Sequence, residues 1–257
     1  MNFQDIAKVA EHAAREGGRV LEEWSKKFTV SEKRRADLVT EADFSSQTAI
    51  HTLLREKFPT HGFLGEEGLS AEGEDTDYRW IIDPLDGTGN YVHRFPYYGV
   101  SIALEYQSEL VVGVVYDPNR DELFSATKGG GTTLNGQTIS VSENDTLDQS
   151  MVMASLPVTP DPSNPAVARF LNVLPRAQSV QRTGSAALNL SNVAAGRLDG
   201  FWSTSLKPWD MAAGVLLVRE AGGKVSKIDN SEFAVDAPDL LATNGLQLHQ
   251  EIQQYLK

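Results

Sequence analysis

Tyr78-Arg79-Trp80-Ile81-Ile82-Asp83-Pro84-Leu85-Asp86-Gly87-Thr88 joins an apolar run to an acidic bend. Its first part is aromatic and β-branched, which predicts a buried strand delivering Asp83 to a cleft. Pro84 fixes its own φ and lacks an N–H, so a rigid turn is expected in place of a continued strand. Gly87 lets another group approach the backbone, and the amides of Gly87, Thr88 and Gly89 are expected to face an anion where a helix begins. Two carboxylates, a backbone carbonyl and a hydroxyl then meet at one bend, a donor set suited to divalent cations.

Upstream, residues 3–28 place Ile6, Val9, Ala10, Ala13, Val20, Leu21 and Trp24 on one helical stripe. A charged loop is expected over Ser31–Asp37, with the only basic cluster, Lys33-Arg34-Arg35, as a solvated segment. A second amphipathic helix should run to about Lys57, with Asp43 at its start, where an N-cap is one explanation of the aspartate. Phe63-Leu64 followed by Gly65-Glu66-Glu67-Gly68 puts Glu66 either at the end of a neighbouring strand or on an exposed turn.

Downstream, strands are expected at Val100–Tyr106, Leu110–Tyr116, Glu122–Ala126 and Thr138–Val141, in hairpin order and so largely antiparallel. Gly129-Gly130-Gly131 lacks a following Lys-Ser or Lys-Thr and is read as a turn, as is Asn135-Gly136. From about residue 147 strands and helices alternate: strand Met151–Leu156, helix Pro165–Leu171, strand Gln178–Gln181 and helix Ser185–Ala195. A helix from Asp210 to Ala221 stops at Gly222-Gly223, and strands near Lys224–Ile228 and Leu240–Thr243 precede a terminal helix. Two subdomains are expected, residues 1–146 and residues 147–257.

The chain has 257 residues, enough for a sizeable core. With no cysteine, disulfides, thiolate catalysis and zinc–thiolate sites drop out. The five histidines, His12, His51, His61, His93 and His249, lack metal-ligand spacing and are expected to be structural or exposed. Oxygen ligation remains, which favours magnesium, manganese or calcium. A net charge of −12 argues against nonspecific nucleic-acid binding, and an anionic ligand would need cations between itself and the carboxylates. Apolar stretches are too short to span a bilayer and no signal peptide is evident, so a cytoplasmic location is expected.

D-P-x-D-G-T arises by chance in a chain this long on the order of once in 10⁴. Here it accompanies DLVTEAD (Asp37–Asp43), Phe63–Glu67, WIIDPLDGTGNYVHRFP (Trp80–Pro96), Gly184–Ala187 and Trp209–Gly214. In these motifs the chain resembles the inositol monophosphatase family of magnesium-dependent, lithium-sensitive phosphatases over nearly its whole length. The resemblance implies an α+β fold, a layered αβαβα sandwich of the inositol monophosphatase and sugar phosphatase type. It implies that Glu66, Asp83 and the Leu85 carbonyl hold one magnesium and Asp83, Asp86 and Asp210 a second. A third, weaker ion near Glu66 is a family feature, and manganese is an alternative. Thr88, oriented by Asp43, would help deprotonate the attacking water, with Glu66 holding that water through the metal. Asp86, Gly87, Thr88, Ala186, Ser203 and Asp210 would meet the substrate.

The same resemblance implies hydrolysis of a small phosphomonoester, inositol-1-phosphate or a related polyol or sugar phosphate, by a homodimer. Ser203 departs from the pattern, because inositol-specific enzymes usually carry Glu there. Gln181 and Asn189 likewise stand where many bacterial relatives have Arg and Asp. Fructose 1,6-bisphosphatase, 3'(2'),5'-bisphosphate nucleotidase and histidinol-phosphatase activities are the alternatives on this fold. A non-catalytic regulatory or binding protein is the alternative class.

Overall fold

The computed structural model describes residues 2–34, 37–159 and 161–257. Helix α1 (Phe3–Trp24) is followed by strands β1 (Val30–Arg34) and β2 (Asp37–Thr40), then by α2 (Glu41–Lys57). Strands β3 (His61–Gly65), β4 (Ser70–Ala71) and β5 (Asp75–Asp86) lead into the short α3 (Thr88–Val92). Next come β6 (Gly99–Tyr106), β7 (Glu109–Asp117), β8 (Glu122–Thr127), β9 (Gly131–Leu134) and β10 (Gln137–Ile139). The remainder alternates: β11 (Met151–Ala154), α4 (Pro165–Val173), β12 (Ser179–Gln181), α5 (Ala186–Ala194) and β13 (Gly200–Ser203). It closes with α6 (Pro208–Glu220), β14 (Lys224–Ser226), β15 (Leu240–Thr243) and α7 (Leu246–Tyr255).

Strands β3 to β10 form an eight-stranded sheet in the order β10-β9-β8-β7-β6-β5-β3-β4, and β11 to β15 a five-stranded sheet in the order β12-β11-β13-β15-β14. In the larger sheet only β3 and β5 run parallel, in agreement with the hairpin spacing. Three apolar clusters fill the four interfaces between five layers, the one around α5 and α6 reaching both sheets. Alternate residues of β5 and β6 point to opposite faces, so Trp80, Ile82, Ile102 and Leu104 pack under α1 and α2, while Ile81 and Ala103 pack against α5 and α6. A third core, with Trp202, Leu241, Leu248 and Ile252, fills the space beneath α4 and α7. The fold is an α+β sandwich layered αβαβα.

Helix α6 approaches the larger sheet closely because Gly113 on β7 has no side chain; a Cβ there would lie 2.7 Å from the Ala213 carbonyl oxygen. On the far side, fully buried His249 bridges the hydroxyls of Ser226 (2.8 Å) and Thr243 (2.9 Å) and fastens α7 to the smaller sheet. This is a structural histidine, in line with the spacing argument. Burial and the nearby Lys224 charge push its pKa down to about 4, so it is neutral over the physiological range.

Three local expectations are corrected. The Ser31–Asp37 segment is not simply a loop, because β1 pairs antiparallel with β2; Arg35 of the basic cluster lies outside the described residues. Pro84 does not end its strand. The strand continues to Asp86 through a bulge between Asp83 and Asp86, where the missing proline N–H interrupts no ladder bond. Asp43 is not the N-cap of α2: Thr40 is, with Asp43 at the third helical position of a capping box. Strands β9 and β13, each of four residues, are additional to those expected. Asn135 and Gly136 form the expected hairpin turn, both with positive φ (47° and 78°).

Candidate functional site: a carboxylate cluster between the two sheets

The bend at the end of β5 is held from three directions. Its own Asp83 carboxylate accepts the Leu85 N–H (3.0 Å), and Ser46 of α2 donates to the Pro84 carbonyl (3.0 Å). Gly87, with φ of 97°, then turns the chain into α3. Since β3 runs parallel to β5 with Gly65 opposite Ile82, the next residue, Glu66, donates its N–H to the Ile82 carbonyl (3.3 Å) and sits at the same sheet end. Strand end rather than exposed turn is therefore the placement of Glu66.

From the other half, α6 brings Asp210. Its Oδ2 accepts the N–H of Lys207 (2.7 Å), and Ser101 of β6 donates to the Trp209 carbonyl (3.2 Å), tying the helix start to the larger sheet. Carboxylate oxygens of Asp83, Asp86 and Asp210 all lie within 4.8 Å of one another. Asp83 and Asp86 are buried and Asp210 is partly exposed. Asp86 is steadied from α5, where the Ser185 hydroxyl and the Ala187 N–H (2.7 Å) donate to its Oδ2.

The electrostatics are unfavourable for bare carboxylates. Burial first, then Glu66, Asp86 and Asp210, hold the Asp83 pKa well above the usual carboxylate range. Burial raises Asp86 to about 6 against the hydrogen bonds from Ser185 and Ala187, and burial together with Asp86 raises Asp210. Among the described residues none of the three forms an ion pair with a basic side chain. A hard divalent cation fits this donor set, since carboxylate and carbonyl oxygens are what magnesium takes and its charge would let the cluster ionise.

Beside the cluster, Thr88 Oγ1 lies 3.3 Å from Asp43 Oδ1 and 3.2 Å from the Leu85 carbonyl oxygen. The other Asp43 oxygen accepts both the N–H (2.8 Å) and the hydroxyl (2.7 Å) of Thr40. Asp43 is fully buried, and burial raises its pKa to about 6 despite those two bonds. Asp43, Thr88 and the Leu85 carbonyl thus make one continuous polar chain.

The proposed substrate contacts divide. Gly87 and Thr88 are partly exposed, and Ala186 is buried at the first turn of α5, next to the amide that holds Asp86. Ser203 has no exposed surface; it ends β13 opposite Leu240, and its hydroxyl accepts the Ser205 N–H (3.4 Å). Asn189 is interior, accepting from the hydroxyls of Tyr97 (2.9 Å) and Thr183 (2.7 Å), while Gln181 is exposed. Asn90 donates to the carbonyls of Tyr97 (2.6 Å) and Thr183 (2.8 Å), so a polar seam joins the α3 segment to the start of α5.

Sequence reasoning missed the groups that aim the carboxylates: Thr40, Ser185, and the amides of Ala187 and Lys207. Thr40-Glu41-Ala42-Asp43 carries a capping-box spacing and Ser185 precedes an apolar helix as an N-cap, so both signals were present. The backbone amides carry none.

Comparison with known proteins places this geometry. The model of the inositol monophosphatase family matches residues 2–257. A protein named inositol-1-monophosphatase from Synechocystis is 43% identical over 257 residues, covering 98% of this chain and 88% of that one. One named Nus factor SuhB from Pseudomonas aeruginosa is 39% identical over 250 residues, covering 94% and 92%. The crystal structure of the extragenic suppressor protein suhB from Bartonella henselae superposes with a TM-score of 0.94 at 38% identity, covering 98% of each chain.

Proposed function

Because the chain belongs to the inositol monophosphatase family of magnesium-dependent phosphoric monoester hydrolases, we propose that it hydrolyses inositol-1-phosphate or a related polyol or sugar phosphate. The convergence of Asp83, Asp86 and Asp210 within 4.8 Å, with no basic partner among the described residues, is the observation that carries the reading. Residues 1–146 supply Asp43, Glu66, Asp83, the Leu85 carbonyl, Asp86 and Thr88, and residues 147–257 supply Asp210 and the groups that aim Asp86.

Glu66, Asp83, the Leu85 carbonyl, Asp86 and Asp210 would hold two or three magnesium ions, with manganese as a substitute. Magnesium bound there supplies positive charge to the phosphoryl oxygens and acidifies water for in-line attack. The Gly87 and Thr88 amides would receive the phosphate at the start of α3. Thr88 would accept a proton from the attacking water as it passes its own to Asp43, whose raised pKa suits a base near neutrality. Ser185 and Ala187 keep Asp86 oriented throughout.

Substrate identity rests on the relatives named inositol-1-monophosphatase. With Ser203 buried, no carboxylate reaches ring hydroxyls from that position, so fructose 1,6-bisphosphate, 3'(2'),5'-bisphosphate nucleotides and histidinol phosphate stay in the panel. A cytoplasmic homodimer is part of the proposal, and among the described residues no helix is long and apolar enough to cross a membrane. Relatives named Nus factor SuhB favour a second reading, a regulatory protein acting through a surface.

Phosphate release from this panel at fixed magnesium tests the first reading, with inositol-1-phosphate expected to lead. No release, with folding and magnesium binding verified, would overturn it. Asp83→Asn separates the readings in cells, because a surface-acting regulator should tolerate that change and a hydrolase should not.

A further inference from the structure

A cavity of about 260 Å³ opens between the C-terminal end of α1 and the segment after α3, lined by Ser25, Lys26, Tyr91, Arg94, Tyr98 and Asn119. In a chain of net charge −12, this lining contains two cations and no acid. Neither the Lys26 ammonium nor the Arg94 guanidinium has a hydrogen-bond or ion-pair partner among the described residues. The Tyr98 ring is buried and packs edge-on against Tyr91 at 5.0 Å, while its hydroxyl has no hydrogen-bond partner among the described residues. The phenol oxygen is open to solvent on the cavity lining and adds a third unpaired donor to the two cations.

The other lining groups are already committed. Tyr91 donates to the Leu21 carbonyl (2.6 Å), Ser25 to the Glu22 carbonyl (2.7 Å) and Asn119 to Asp117 (3.2 Å). Two carboxylates, Glu22 and Asp117, act on Tyr98 from outside the lining; Asp117 is satisfied by Arg120 (2.9 Å). Three donors therefore remain free: an ammonium, a planar guanidinium fork and a phenol. That set matches a tetrahedral oxyanion, with Arg able to grip two oxygens at once. The volume exceeds that of a single phosphate and accommodates a small ester.

We propose that this cavity is a binding site for a phosphate group, free or carried on a small ester, held by Lys26, Arg94 and the Tyr98 hydroxyl. None of the acid-cluster residues lines it, and it requires no metal. The inference stands independently of the hydrolase reading.

The test is calorimetric titration of the full chain in EDTA at constant ionic strength, with inorganic phosphate in one arm and glycerol 1-phosphate in the other. Saturable one-site binding is expected in at least one arm. A tighter ester arm identifies an ester as the ligand, and equal or tighter phosphate identifies the free ion. The exposed double variant Lys26→Gln/Arg94→Gln should weaken binding by about ten-fold or more, and the near-isosteric Tyr98→Phe by a few-fold, with circular dichroism unchanged. Asp83→Asn should leave this affinity as it is. Absence of saturable binding in both arms, or a double variant that binds like the parent, overturns the proposal.

Discussion

Helices α2 and α6 begin alike and bring their first-turn acids to different surroundings. Each carries an aspartate at its third position, and in each one carboxylate oxygen accepts the N-cap N–H: Asp43 from Thr40 at 2.8 Å, Asp210 from Lys207 at 2.7 Å. That bond fixes the side chain and frees its second oxygen. In α2 the second oxygen meets the Thr88 hydroxyl, and the Thr40 hydroxyl adds a further bond to the first. In α6 a carboxylate oxygen of Asp210 lies within 4.8 Å of those of Asp83 and Asp86. Capping and function are therefore not rival explanations of an acid at a helix start; the cap orients the group, and its neighbours set whether it faces the Thr88 hydroxyl or the other carboxylates.

The largest expected effect tests that division. Asp210→Asn should lower kcat by on the order of 10³-fold and raise the magnesium concentration needed for half-maximal rate. Asp43→Asn should cost roughly 10²-fold and leave the magnesium dependence in place. Equal shifts in magnesium dependence for the two variants would show that both helix starts do the same work.

Next comes stability against pH. Asp43, Asp83, Asp86 and Asp210 all have pKa values raised on folding, so between about pH 4 and 7 the native state holds more protons than the unfolded one. This contribution is complete below the unfolded carboxylate range and is lost as pH rises through the folded values. In EDTA the melting temperature should fall by on the order of 5 °C or more across that window, and saturating magnesium should remove most of the fall. A flat profile in EDTA would mean the carboxylates do not repel as their placement implies.

Two smaller effects refine the contrast. Thr40→Val removes a hydroxyl bond that lowers the Asp43 pKa, so the acidic limb of kcat/KM should move to higher pH, with a loss of about 1–2 kcal/mol in denaturant unfolding. Lys207→Ala keeps the backbone donor of Asp210 and should change stability by about 0.5 kcal/mol or less. A large effect there would give the lysine side chain a part in holding Asp210 comparable to that of the Thr40 hydroxyl on Asp43.

Much of the first wall of the cleft was legible, because Trp80–Ile82 announces a buried strand and the acids follow it without a gap. Of the second wall, only Asp210 was legible, through the Trp209–Gly214 motif. Asp86 takes its donors from Ser185 and Ala187, 99 and 101 residues away, and no local pattern links them. Pro84 misled because φ and a missing donor suit a bulge as well as a turn. The β1–β2 hairpin stayed hidden because its sequence is dominated by polar and charged residues and shows no core-facing alternation. Strand β13 has four fully buried residues, too short a run to tell from a helix segment by periodicity.

The missing side chain at Gly113 has a mechanical consequence. Ala213, the point where α6 rests on that glycine, is one helical turn from Asp210, so any lift at the contact is passed almost undiminished to the carboxylate. The floor of the sheet acts as a datum surface against which a candidate metal ligand is set. Dimensional tolerance at the cluster is thereby set by a residue that is not part of it.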